Sequence, residues 1–300
     1  MQLINASIDY LKLGFRGGYD DLGTFKTFVG SEENFEQLYQ EALNKVRVPL
    51  VAGLDLVTKK RDRRLSGYLF YIEAKSDFFF SHSLTELNAM ANVVRCDIAL
   101  DFATKRNFFL DLNNVFNDNN WRFLRMKVVQ VGNPRDGITY YLGNSQTVLI
   151  RIYDKGKEVQ GKKEYLLNYL RAKAPDAKYF VRLEFQFHRN AFRMYGLPED
   201  LSVINVLPCF IETKYALLLN LFGIKKIILD YYAKGSVVHD SGKYFKIFAR
   251  AVSEIETALK GLEESQSDLV LFDVMDDVVC TLIDIVEDIK ERRKFYKGVF

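Results

Sequence analysis

Two alternating stretches joined by a turn signal constrain the fold of this chain more than any other feature of the sequence. Residues 139–142 and 148–154 alternate in the manner of β-strands, and Gly143-Asn144 between them favours a tight turn. Successive side chains of a strand point to opposite faces of a sheet. One face of the second strand therefore carries Arg151, Tyr153 and Lys155. The two stretches predict an antiparallel hairpin with a tyrosine set between two cations.

A tyrosine between two cations has two interpretations. The arrangement suits a tyrosine that must approach a phosphate group, because both cations attract the anion. An ordinary edge strand with a solvated polar face gives the same pattern. The pattern alone leaves both interpretations open.

Two other predicted strands carry polar side chains in the same alternating manner. In residues 95–102, Asp97 and Asp101 share one face. In residues 179–188, one face is apolar and the other carries Arg182, Glu184, Gln186 and His188. If these faces coincide with that of Tyr153, a carboxylate cluster lies beside the tyrosine. Its hard oxygen ligands favour Mg²⁺ or Mn²⁺ over zinc, and a metal with nearby cations favours the nucleophilic phenolate.

Each member of this cluster also has a purely structural interpretation. Asp97 and Asp101 are roughly 13 Å apart along a straight strand, so they cannot both touch one ion unless the strand bends. They could equally end a strand. Arg182 and Glu184 fit a salt-bridged outer face, and a lone histidine such as His188 is more often a surface residue than a ligand.

Composition excludes several classes of protein. With 48% hydrophobic residues the chain can build a sizeable core, and no apolar run is long enough to cross a bilayer. The start of the chain lacks a signal-peptide pattern, and its three cysteines are widely spaced, so we expect a reduced, cytoplasmic protein. The nucleotide-binding glycine motifs, H-E-x-x-H and G-x-S-x-G are all absent.

Charge is distributed unevenly along the chain. Residues 251–300 hold 6 Lys and Arg against 12 Asp and Glu, a net of −6, whereas the other 250 residues carry a net of +9. The front of the chain is therefore the part suited to meet a polyanion. Its densest basic run is a candidate phosphate contact, although a solvated hairpin tip explains it equally well; the run comprises Lys59, Lys60, Arg61, Arg63 and Arg64.

The periodicities predict two regions. Strands alternate with helices up to His188, including a helix that begins after Ser31 and another that begins at Ser83 and runs through Val94. Beyond that point the pattern is helical. We therefore expect an α+β domain with an antiparallel sheet over residues 1–195 and a helical region over residues 196–300.

Four segments of this chain, in this order, resemble the signatures of the replication initiation factor family, the trans-acting Rep proteins of rolling-circle plasmids and filamentous phages, with related relaxases of conjugative elements. The family patterns are R-x-D-x-A-x-D, T-x-Y-x-G-S, R-x-Y-D-K and R-x-E. The corresponding segments are Arg95–Asp101, Thr139–Ser145, Arg151–Lys155 and Arg182–Glu184. They fall within about a third of the chain, and the turn departs from the family's Gly-Ser-Arg by reading Gly143-Asn144-Ser145.

The resemblance implies a fold distantly related to the His-hydrophobic-His endonucleases and a role for each matching residue. Tyr153 would cut single-stranded or hairpin origin DNA, leaving a 5′-phosphotyrosyl link and a free 3′-OH. Arg151 and Lys155 would hold the phosphate. Asp97, Asp101 and Glu184 would bind Mg²⁺ or Mn²⁺, with His188 as a further candidate ligand. The helical region would recognise DNA or form a homodimer, and a host helicase is a possible partner; a membrane is not.

Three rival functions remain open from the sequence. One is a conjugative relaxase of the same family. Another is a non-catalytic DNA-binding replication protein that keeps the fold. The third is a phage structural or interaction protein in which the matching strands are coincidental.

Overall fold

The structure is a computed structural model of the 300-residue chain. It describes residues 1–58, 67–82, 87–110, 112, 127–133, 137–215, 218, 219 and 222.

A mixed architecture of helices around one antiparallel sheet confirms the α+β expectation. In the described residues the sheet has nine strands in the order β2-β3-β4-β1-β5-β9-β8-β7-β6, and every neighbouring pair is antiparallel. The strands are β1 (Gln2–Phe15), β2 (Arg47–Val51), β3 (Leu54–Val57), β4 (Phe70–Lys75), β5 (Asn92–Thr104), β6 (Val128–Asn133), β7 (Gly137–Gly143), β8 (Val148–Asp154) and β9 (Tyr179–His188).

Helices cover the apolar face of this sheet and one end of its other face. A 3-10 helix over Tyr19–Phe25 precedes α1 (Lys26–Val29), α2 (Glu32–Lys45), α3 (Ser76–Phe79), α4 (Lys155–Val159), α5 (Glu164–Lys173), α6 (Arg189–Tyr195) and α7 (Val203–Lys214). The predicted start of α2 is confirmed, since the Ser31 side chain accepts a hydrogen bond from the Asn34 backbone N–H at 3.2 Å. Phe35 of α2 and Phe210 of α7 belong to the same large core as the apolar side chains of the central strands.

The other face of the sheet is polar and is closed at one end only. There α4 and α5 pack Val159 and Leu170 in a second, smaller apolar cluster against Ile4, Ala103 and Phe180 of the strands. Since the first of these helices begins directly after β8, the chain turns from the hairpin onto this face. The rest of the polar face carries the side chains that the sequence singles out.

A bulge in β1 alters which side chains reach the polar face. The register between β1 and β5 shifts between Ile8 and Tyr10, while Ile8 and Leu11 both lie in the large core. Asp9 and Tyr10 are therefore both displaced from the apolar side, as expected for an extra residue in one strand. This breaks the alternation of the first strand and adds a carboxylate to the polar face.

Two further expectations are settled by the topology. The edge-strand interpretation of residues 148–155 is wrong, because β8 lies between β7 and β9. The helix expected through Val94 is also wrong where the structure describes it, since β5 begins at Asn92. The start of that helix, residues 83–86, lies outside the described residues.

The boundary expected near residue 195 stays a prediction. In the described part of the region after it, α7 packs into the core of the sheet, and most of the residues from 216 onward lie outside the description. None of the helices described is long and apolar enough to span a membrane.

Candidate active site

Strand register places three of the four family-like segments side by side on the polar face, and the fourth lies on the next strand, β7. Arg151 of β8 lies opposite Glu184 of β9, and Tyr153 lies opposite Arg182. On the other side of β9, Asp101 of β5 is opposite Arg182. Residues that face each other across a sheet project to the same side. The predicted coincidence of these faces is therefore confirmed.

The hydroxyl of Tyr153 is held by a buried carboxylate. It lies 3.1 Å from Oε2 of Glu184, which is fully buried. Arg151 Nη2 donates to both carboxylate oxygens of Glu184 at 2.5 and 2.6 Å, and Gln186 Nε2 donates to Oε1 at 2.7 Å. The glutamate is thus fixed by two neighbours while it accepts the tyrosine hydrogen bond. Nε of Arg151 is buried without a hydrogen-bond partner among the described residues. This side chain can therefore donate one more hydrogen bond.

Two cations flank the Tyr153 ring. The guanidinium carbon of Arg151 lies 5.3 Å from the ring centroid, and Lys155 Nζ lies 5.6 Å from it. Lys155 does not continue the strand as expected from the alternation; it is the first residue of α4 and pairs with Glu158 at 2.6 Å. The turn into the helix nevertheless keeps its ammonium group beside the tyrosine.

Burial keeps Tyr153 in its phenol form. Removal of the ring from water raises the pKa of Tyr153 well above its ordinary value, and the positive charge of Arg182 opposes this only in part. The free side chain therefore carries its proton at neutral pH. A nucleophilic attack by this tyrosine needs a proton acceptor, and the carboxylate of Glu184 is the group its hydroxyl touches.

Arg182, opposite the tyrosine on β9, is the centre of a second buried network. Its Nε and Nη2 donate to the two oxygens of Asp101 at 2.6 and 2.9 Å, and its Nη1 donates to Asp9. Asn5 Nδ2 completes the network with a bond of 3.0 Å to Asp101 Oδ2. Although burial raises the pKa of Asp9, the Arg182 guanidinium and neighbouring cations hold it below its usual value. The network holds the Arg182 guanidinium opposite Tyr153, with its positive charge balanced by the two carboxylates.

Asp9 is a site residue that the sequence reasoning missed. It lies on the first strand, far in sequence from the segments that resemble a family. The signal available was the polar pair Asp9-Tyr10 inside an otherwise alternating strand, which is the pattern that a bulge produces.

Asp97 is paired with an arginine of its own strand. Arg95 Nε and Nη2 donate to its two oxygens at 2.8 and 2.5 Å. Burial, together with the negative charge of Glu184, outweighs this pairing and raises the pKa of Asp97 to about 7. Asp97 lies opposite Gln186 on β9, and Asp101 lies opposite Arg182, so the expected separation of these two carboxylates along the strand holds.

The oxygen atoms of the three carboxylates are ligands of the type that a divalent ion prefers. Their arrangement in this structure does not suit such an ion. Each is already paired with a different arginine: Asp97 with Arg95, Asp101 with Arg182 and Glu184 with Arg151. In the part of the chain that the structure describes, no group of three or more His, Cys, Asp and Glu side chains could hold a metal ion. The bound Mg²⁺ or Mn²⁺ stays a prediction of the sequence resemblance.

The remaining candidate residues lie elsewhere. His188 is opposite Arg95 at the end of β9, where burial and the Arg95 charge lower its pKa. The basic run Lys59, Lys60, Arg61, Arg63 and Arg64 lies outside the described residues. Its expected contact with DNA is therefore untested.

Comparisons with known proteins add a structural similarity at low sequence identity. The chain resembles a rolling circle replication initiator protein from Geobacillus stearothermophilus at 14% sequence identity and a TM-score of 0.39, with 80% of this chain and 90% of that chain covered. At this TM-score the similarity does not by itself assign a fold or a function. No protein-family model matches the sequence, and no curated protein matches it.

Proposed function

We propose that this protein is a site-specific DNA-nicking and strand-transferring enzyme of the kind that initiates rolling-circle replication, with Tyr153 as its nucleophile. One observation carries the proposal. The Tyr153 hydroxyl is buried against the carboxylate of Glu184. The cationic groups of Arg151 and Lys155 flank its ring, and Arg182 lies opposite it on the next strand. A tyrosine that only fills space needs neither a buried proton acceptor nor three cations around it.

The sequence resemblance indicates which reaction this site would perform. Four segments resemble the family signatures, and they lie on four consecutive strands of the sheet. These segments contain Asp97 on β5, Glu184 on β9, Tyr153 on β8 and Tyr141 on β7. Their convergence on one site supports a shared role for these residues. It equally suits a conjugative relaxase, which performs the same nicking step on a different kind of replicon.

The proposed reaction is an attack of Tyr153 on a phosphodiester of single-stranded DNA. The Tyr153 oxygen bonds to phosphorus, and the bond from phosphorus to the 3′ oxygen breaks. The phenolic proton passes to Glu184, whose Oε2 already accepts the hydrogen bond, and the leaving 3′ oxygen takes a proton from solvent. Arg151, with its unpaired Nε, and Lys155 stabilise the negative charge of the phosphate. The reverse attack by a 3′-OH on the phosphotyrosine rejoins the strand.

The partner follows from the reaction. A nicking enzyme of this kind acts on single-stranded or hairpin origin DNA in the cytoplasm. A homodimer, a host helicase and recognition of the origin by the helical region remain predictions from the sequence.

Nicking of a supercoiled plasmid that carries the origin tests the proposal. Tyr153→Phe should abolish conversion to the open circle while DNA binding remains, because only the attacking oxygen is removed. Tyr195→Phe is the matched control, since Tyr195 packs against the large core on the other face of the sheet; it should nick like the parent. Nicking by Tyr153→Phe at the parental rate would refute the assignment. DNA binding by the parent without any nicking would favour the non-catalytic DNA-binding alternative.

A further inference from the structure

The open part of the polar face carries a line of cations that are stacked on tyrosine rings. Arg95 lies over Tyr10 at 4.8 Å from cation to ring centroid, and Lys12 Nζ lies over Tyr71 at 4.5 Å. Arg189 lies 5.1 Å from the centroid of Tyr68. A fourth pair, Arg151 with Tyr153, lies in the candidate active site. A polar surface that only contacts solvent does not need four cations placed over aromatic rings on one face. The repetition therefore points to a ligand.

Strand register shows that these pairs form one continuous surface. Lys12, Arg95 and His188 occupy one row across β1, β5 and β9. The row of Glu184 and Arg151 lies four residues down β9, roughly 13 Å away. The Tyr68 ring covers Gly14, two residues beyond Lys12 on the same face, where a Cβ atom would come within 2.8 Å of it. The line therefore runs from the candidate active site to the far end of β1.

This surface exposes mainly positive groups to solvent, because its carboxylates are buried beneath the lysine and arginine side chains that pair with them. The side chain of Lys12 is 25% exposed and that of Glu73, its partner, 5%. Arg95 is 31% exposed against 2% for Asp97, and Arg151 is 30% exposed against 0% for Glu184. A ligand that approaches the face meets ammonium and guanidinium groups, although acids and bases are nearly balanced in number.

We propose that this surface binds single-stranded DNA and leads it to Tyr153. Guanidinium planes supported by tyrosine rings can stack on unpaired bases, and the same cations can contact phosphates. A duplex offers phosphates as well, but its base faces are hidden within the stack and leave the supported guanidinium planes unused. The inference builds on the proposed function, since the strand is led to the nucleophile of that reaction.

Binding of a fluorescent single-stranded oligonucleotide to Tyr153→Phe protein tests the surface separately from cleavage. Lys12→Gln and Arg189→Gln are combined in this background. Both substitutions leave the neighbouring carboxylates paired, because Glu73 keeps Arg47 at 2.5 Å and Glu199 keeps Arg193 at 3.0 Å. Far-ultraviolet circular dichroism and thermal unfolding check that the combined variant is folded.

Lys26→Gln is the matched control. Lys26 also lies over a tyrosine ring, at 4.6 Å from the Tyr19 centroid, and it pairs with Asp20 at 2.9 Å. It belongs to α1, whose Val29 packs into the core on the opposite side of the sheet. Any weakening of binding that reflects only the removal of a tyrosine-stacked cation would appear in this variant as well.

The combined variant should raise Kd about tenfold. The slope of the log–log dependence of affinity on salt should fall by about 0.7 for each phosphate that the variant no longer neutralises. The control should bind like its parent. Equal binding by the combined variant and the control would overturn the proposal. So would a duplex of the same sequence that binds as tightly as the single strand and is weakened to the same degree. Because cleavage is disabled throughout, a failure here leaves the nicking proposal to its own assay.

Discussion

At the scale of single residues, the candidate site depends on which groups neutralise its buried charges. Arg151 and Arg182 each bind a buried carboxylate, and the same two arginines are the neighbours of Tyr153 on its own strand and on the next. Burial raises the pKa of the tyrosine, so these cations do not turn it into a phenolate in the free protein. In the proposed reaction, Arg151 stabilises the negative charge that develops during attack. This electrostatic effect is strongest in a site shielded from water.

Substitution of Arg182 should be the most destabilising single change in the site. Arg182→Met leaves Asp9 and Asp101 buried without their cation, which is expected to cost about 3–5 kcal/mol of unfolding free energy. Arg193→Met is the control, because the Arg193 side chain is 55% exposed and its ion pair with Glu199 should be worth less than about 1 kcal/mol. Urea denaturation measures both. A decrease for Arg182→Met no larger than that of the control would show that the buried network does not stabilise the fold.

At the scale of the elements, the alternation of apolar and polar residues predicted where the strands lie in the sequence. It did not predict which strands pair with one another in the sheet. The hairpin of β7 and β8 and the strand β9 follow directly from period-two patterns, because each has one buried apolar face. The position of β8 inside the sheet could not be read from its own residues, since that position depends on pairing with β9, which follows it in the chain.

Local signals failed where distant pairing competes with them. The capping pattern at Ser83 predicted a helix through Val94, but Val93 packs into the core as part of a strand that pairs with β1 and β9. The bulge at Asp9 was missed for the same reason: the extra residue is defined by the register with another strand. Of the candidate site, the three strands and their shared face were predictable, whereas the pairing of each carboxylate with its own arginine was not.

At the scale of the whole molecule, the two faces of the sheet differ in role: one forms the core and the other carries the candidate active site. Its apolar face is covered by helices, including α7, and supplies the large core. Its polar face is closed by α4 and α5 at one end and otherwise carries the ion-paired side chains around Tyr153. Such a division places reactive groups on rigid strands, which hold a nucleophile and its partners in fixed geometry.

The predicted metal requirement depends on the arrangement of two neighbouring strands, because Asp97 and Asp101 lie on β5 and Glu184 lies on β9. The resemblance predicts that EDTA stops nicking and that added Mn²⁺ restores it. Binding an ion in this site would require at least one of Asp97, Asp101 and Glu184 to exchange its arginine for the metal. Full activity in EDTA would remove the ligand role from these residues and leave them as partners of their arginines.

Trapping the covalent adduct between Tyr153 and DNA is the most direct test of the proposed reaction. Labelled single-stranded origin DNA is incubated with the full chain and Mn²⁺, and the protein is then denatured, digested and analysed by mass spectrometry. We expect a covalent protein–DNA band that is absent in Tyr153→Phe, with the phosphodiester mapped to the peptide that contains Tyr153. An adduct on a different tyrosine, or cleavage of the DNA with no adduct at any time point, would contradict it.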